Sequence, residues 1–178
     1  MNTIQIVPNG QIAFQIPISI IFWCFIFAYV LHILEEAVVP EVFVDKVKRL
    51  YWEDYSWGKF IGFNTILLTL NIVAVLLYES YQGTWIIFPL ALSFERILNG
   101  LYHLGESLKT KKYSSGLLAS VVTWILGYWL IKYALVEDKV KIGYIVIAIM
   151  LGILLCVLMI VPLTTGMLKK MKKVSKNS

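Results

Sequence analysis

Apolar residues run in five blocks along the chain, at about 17–37, 60–78, 85–108, 116–133 and 142–161, each bounded by polar or turn-forming residues. Every block falls within the roughly 17–25 residues that a helix needs to cross a bilayer. The pattern predicts an all-α integral membrane protein with five transmembrane helices. Pro17 opens the first block, a position where a helix needs no amide donor, and Pro89 is expected to kink the third. Between the first two blocks the period changes. Phe43, Val47, Leu50 and Tyr51 recur at helical spacing, while Lys46, Lys48, Arg49 and Glu53 form a charged side. Residues 40–58 are therefore expected to be an amphipathic helix on the inner face, with Trp52, Tyr55 and Trp57 at headgroup level or lining a substrate entrance. Ahead of the first block, Ile4, Ile6, Ile12, Phe14 and Ile16 flank Pro8-Asn9-Gly10. That alternation around a hairpin turn signal predicts a short ribbon or loop, residues 1–16, on the outer surface.

Composition supports the membrane reading. Of 178 residues, 59% are hydrophobic and 15% charged, with a mean hydropathy of +0.76. An ordinary soluble domain of this size is less apolar. The first block has neither the basic start nor the small-residue cleavage site of a signal peptide and is expected to remain as a span. All 178 residues are read as a single membrane domain. Cys24 and Cys156 both fall inside apolar blocks, which argues against a disulfide framework and a cysteine metal site.

The net charge of +5 has its source between spans and at the end of the chain. Lys46, Lys48, Arg49 and Lys59, then Lys109, Lys111 and Lys112, then the basic segment 164–178 fall on one side of a five-span arrangement. The other side holds Lys132, Lys139 and Lys141, offset by Glu137 and Asp138. The positive-inside rule puts the amino terminus outside and the carboxyl terminus, with its basic tail, in the cytoplasm. This charge is an orientation signal and a contact for membrane lipid. No nucleic-acid arm, dinucleotide fingerprint or phosphate loop accompanies it.

Candidate chemistry sits inside the blocks. His32-Ile33-Leu34-Glu35-Glu36 closes the first, where helical geometry puts Glu36 one turn from His32. The third block carries Glu95, Arg96, Asn99, His103 and Glu106; Asn99 and His103 form an i,i+4 pair, and His103 lies at the same expected depth as His32. Asn64 and Asn71, seven residues apart in the second block, are expected to bond between helices. His32, Glu36 and His103 could serve as the protein ligands of a catalytic zinc or another divalent transition metal, leaving one position for water. Glu35 would then be a spare carboxylate for proton transfer, with Glu95 or Asn99 orienting a histidine or substrate. The reading that follows is a metal-assisted hydrolase or transferase acting on a lipid-like or apolar substrate near the inner leaflet. Alternatives are a metal-free acid/base isomerase or acyl-shifting enzyme, a small proton-coupled transporter or binding protein, and a structural subunit in which Arg96 simply neutralises Glu95 or Glu36.

The stretch His32-Ile33-Leu34-Glu35-Glu36 resembles the defining motif of the HXXEE family of small bacterial membrane proteins. That family is also described by a second histidine, matched by His103, and a tyrosine-x-proline-glycine motif. Tyr113-Ser114-Ser115-Gly116 resembles the latter, with serine in place of proline. The resemblance implies a bacterial cytoplasmic membrane and points to site residues; it brings no reaction with it.

Overall fold

The structure is a computed structural model that describes residues 4–6, 12–14, 17–38, 43–136 and 140–177. Two short strands, β1 (Ile4–Ile6) and β2 (Ile12–Phe14), pair antiparallel with Ile4 opposite Phe14 and Ile6 opposite Ile12. They form the ribbon expected from the alternation; the Pro8-Asn9-Gly10 turn lies outside the described residues. The rest is helical: α1 (Ile18–Val38), α2 (Phe43–Leu50), α3 (Trp57–Tyr81), α4 (Ile87–Thr110), α5 (Leu117–Ile131) and α6 (Ile142–Asn177). A 3-10 turn over Gly83–Ile86 leads into α4, and a π turn over Lys132–Val136 ends α5.

Among the described residues, four helical stretches are long and apolar enough to cross a membrane: Ile18–Val38, Trp57–Tyr81, Leu117–Leu135 and Ile142–Leu168. The protein is thus an all-α, multi-pass membrane protein in its helical body. The third predicted block, now α4, is of a different kind. Glu95, Arg96, Asn99, His103 and Glu106 lower its hydropathy, and Glu95, Arg96 and His103 are buried. It packs against α1, α3, α5 and α6, so its polar residues are covered by neighbouring helices, as polar side chains at membrane depth require.

The buried stripe of α1 shows how this core is graded. Ile18, Phe22, Phe25, Tyr29, His32 and Glu36 follow one another at three- and four-residue spacing. Its first half packs into an apolar cluster with Val75, Leu90, Leu130 and Ala148. Its second half turns polar, and Tyr29 marks the transition: its ring lies under the Arg96 guanidinium, and its hydroxyl donates to Asn64 Oδ1 at 2.6 Å. Asn64 therefore makes the expected interhelical bond, whereas Asn71 donates to Leu67 O within α3.

Residues 40–58 depart from a single amphipathic helix. α2 stops at Leu50, Tyr51 and Trp52 both donate to Val47 O, and Ser56 caps α3 by accepting from Lys59 N at 3.4 Å. Trp57 is already the first residue of α3. One short helix and a turn replace the single helix because Val44, Val47, Tyr55 and Phe60 converge on one small apolar cluster, which the chain reaches only by turning. Lys46 also leaves the expected charged side: it is buried and donates to Glu106 Oε2 at 2.7 Å, while Lys48 and Arg49 stay exposed. Pro89 falls in the first turn of α4, where its ring removes no ladder bond. The interior proline is Pro162 in α6.

Glycine sets the α4–α6 approach. A Cβ at Gly152 would lie 2.8 Å from Ala91 O and 2.9 Å from Phe94 Cβ, whereas one at Gly143 would meet nothing within 4 Å. Gly152→Ala is expected to force the helices apart and cost about 1–3 kcal/mol, read as a lowered thermal midpoint in detergent. Gly143→Ala on the same helix should hold or raise that midpoint.

Candidate metal centre

His32 and Glu36 lie one turn apart on α1, and His103 reaches them from α4. His32 and Glu36 are each 5% exposed, and His103 is fully buried. Both imidazole Nε2 atoms stand 3.5 Å from the same carboxylate oxygen, Glu36 Oε1. One potential ligand atom from each residue lies within 4.8 Å of the others. The rings meet edge to face, 4.9 Å between centroids.

The hydrogen bonds on the far side of each ring decide what those Nε2 atoms are. His32 Nδ1 lies 3.2 Å from Gly116 O, which can only accept, so Nδ1 carries the proton. His103 Nδ1 lies 3.0 Å from Ser114 Oγ, and Ser114 donates its own hydroxyl hydrogen to Glu106, so His103 Nδ1 is again the donor. Neutral imidazoles held this way present Nε2 lone pairs to a carboxylate, and His103 Nε2 has no hydrogen-bond partner among the described residues. Three acceptors facing one another in a buried site repel unless a metal cation or a proton joins them. The 3.5 Å spacing exceeds a good hydrogen bond. It is close to the ~3.3 Å between neighbouring ligands that are each about 2.0–2.1 Å from a tetrahedral zinc.

Gly116 is built into this arrangement. Its φ is +102°, in the left-handed region that favours glycine, and a Cβ there would sit 2.6 Å from His32 Cε1 and 2.8 Å from His103 Cε1. The neighbouring residues support the same geometry. Ser114 positions His103, and Glu106, which accepts from Ser114, is neutralised by Lys46 of α2.

Glu35 has a different set of partners from Glu36. Its carboxylate accepts from Tyr113 Oη, from Leu118 N at 3.1 Å and from Ala119 N at 2.8 Å. It therefore caps α5 from a distant helix, where the Gly116 N-cap offers no side chain of its own. Burial and then the Glu35 carboxylate raise the Tyr113 phenol, so it remains the donor in that pair.

The remaining sequence-predicted residues line a cavity of about 400 Å³ that opens beside the trio. Glu95 binds the Nε and Nη2 edge of Arg96, and the Arg96 guanidinium stacks 4.3 Å from the Tyr29 ring centre. Asn99, half-buried one turn before His103, also lines the cavity. Trp52 and Tyr55 form part of its wall, the entrance role considered for them alongside membrane anchoring, while Trp57 is exposed. Burial, reinforced by the Glu36 carboxylate, pushes the Tyr55 phenol up, so it faces the cavity as a neutral donor. Sequence reasoning did not find Ser114, Lys46 or the Glu106 contact. The available signal was Tyr113-Ser114-Ser115-Gly116, whose residues hold Glu35, His103 and His32 respectively through Tyr113, Ser114 and Gly116.

Gly116→Ala should therefore displace both imidazoles and strain the backbone at once. The expected result is a loss of about 1–3 kcal/mol in thermal unfolding together with reduced metal content. Gly105→Ala, which meets nothing within 4 Å on α4, should change neither.

Residues 23–131, more than half of the chain, match the family described as "Protein of unknown function with HXXEE motif". Among curated proteins and solved structures, none matches significantly. The matched stretch contains every element of the constellation, from His32, Glu35 and Glu36 through His103 to Tyr113 and Gly116. The chain belongs to the HXXEE family.

Proposed function

We propose that this protein is a membrane-embedded, metal-assisted enzyme, a hydrolase or transferase, acting on a lipid-like or apolar substrate that reaches the cavity from the inner leaflet. The observation that carries the reading is the pair of imidazoles whose Nδ1 atoms are committed to Gly116 O and Ser114 Oγ while both Nε2 atoms stand 3.5 Å from Glu36 Oε1 beside an open cavity. His32, Glu36 and His103 would hold a zinc ion or another divalent transition metal, which supplies Lewis-acid polarisation or an activated water when bound. Gly116 and Ser114 fix the two tautomers, and Glu106 holds Ser114 in its accepting orientation. Arg96 and Asn99 orient the substrate, and Glu35 keeps the α5 end of the site in place.

In this reading α4 is a fifth crossing whose polar face is turned inward. Its 24 residues span ~36 Å, enough for a hydrocarbon core of about 30 Å. α2 lies along the inner face, the amino terminus is outside, and the basic end of α6 lies in the cytoplasm. A metal-free acid/base centre is the alternative, with one imidazole protonated against Glu36.

Elemental analysis of protein purified without chelator separates the two. Near-stoichiometric zinc or another transition metal is expected, lost in His32→Ala, Glu36→Ala and His103→Ala. A wild-type protein that is metal-free and stays so after zinc addition would sink the metal reading in favour of acid/base chemistry. Orientation has its own test in intact cells. Asp138→Cys should label from outside and Lys172→Cys only after permeabilisation; labelling of both from one side would remove the fifth crossing.

A further inference from the structure

The cavity has two chemically distinct ends and an open flank. On one face of α4, Arg96, Asn99 and His103 succeed one another at spacings of three and four residues, and all three line the cavity. Glu95 engages Arg96 through Nε and Nη2, and Arg96 also lines the cavity. Asn99 has no hydrogen-bonding partner among the described residues, so its amide is a donor still to be used. Opposite these groups the wall is apolar, with Phe63 of α3 and Ile153, Met159, Ile160 and Leu163 of α6. Ile153 is 49% and Ile160 52% exposed although both line the cavity, so this flank faces the hydrocarbon around the bundle.

The charge inside follows from the lining residues. Among the carboxylates and the guanidinium that line it, Glu36 and Glu95 outnumber Arg96 by one negative charge. A divalent cation on His32, Glu36 and His103 reverses that to one positive charge in excess. Resting on the metal reading above, we infer that the substrate or product is a single-chain amphiphile ending in an oxyanion, a carboxylate or phosphate. Its head lies between the metal trio and Arg96–Asn99, and its tail passes along the α3–α6 flank. The loaded metal admits the anion, and the stripped cavity repels it. At about 30 Å³ for each water-sized unit, a cavity of about 400 Å³ has room for roughly 13 such units, the head and most of one twelve-carbon chain. A longer tail would continue along the exposed Ile153 and Ile160 flank.

The test uses radiolabelled dodecanoate and dodecanol, matched in chain length, on the full-length protein in uncharged detergent, either zinc-loaded or chelator-stripped. The loaded protein should prefer dodecanoate by about ten-fold or more, as expected for charge-assisted hydrogen bonds to the head. Stripping should abolish or invert that preference. Asn99→Leu should cut it by about ten-fold while zinc content stays unchanged, and cobalt-substituted protein should show a visible-band shift with dodecanoate alone. Equal affinities in the zinc-loaded protein, or a preference that survives stripping, would overturn the oxyanion inference and leave the metal centre standing. Failure to take up zinc at all would overturn the metal reading and this inference with it.

Discussion

Unpaired acceptors in an apolar interior are costly, and this bundle brings three of them together from two helices. His32, Glu36 and His103 can stay there because each imidazole spends its hydrogen on a fixed acceptor, Gly116 O or Ser114 Oγ. Those acceptors belong to the six-residue segment joining α4 to α5, so the position of α5 is tied to the site. Glu35 reinforces the tie from α1 by accepting two amides of the first turn of α5. Two adjacent acids thus divide two tasks. Glu36 faces the imidazoles, and Glu35 fastens the segment that orients them.

The same constraint accounts for the less regular parts of the fold. Lys46 leaves the charged side of α2 because Glu106, once committed to Ser114, would otherwise be an uncompensated carboxylate at the edge of the core. A buried pair of this kind contributes little net stability, since desolvation offsets the attraction. Its effect is to fix α2 in register over the cavity. Arg96 and Glu95 present a similar pair deeper in the bundle, and the Tyr29 ring covers the guanidinium face.

Much of this was legible in the sequence, and the parts that were not have physical reasons. His32 and Glu36 are four residues apart in a helical pattern, so their shared face follows from the helix period alone. The convergence of His103 on that face was expected from the polar residues of the third block, and the two histidines do come together. Local alternation likewise pointed to the β1–β2 ribbon. The capping role of Glu35 was out of reach, because it depends on where Leu118 and Ala119 direct their amides. The burial of Lys46 was hidden for a similar reason: periodicity places a lysine outward, and only the distant Glu106 draws it in. α4 looked like one more span among five. Its position among four other helices is a property of packing that no single stretch encodes.

The capping of α5 by Glu35 also imposes an order on biosynthesis. The bonds from α1 to Leu118 N and Ala119 N join residues 83 and 84 positions apart, and the His32 bond to Gly116 O again spans 84. At roughly 5–20 residues per second, α1 leaves the ribosome about 4 to 17 s before the partners of its polar end exist. During that interval His32 lacks the Gly116 carbonyl and Glu35 lacks the two amides that hold them in the folded protein. Completion of the site is then a late event, one that waits for the loop before α5 to be made.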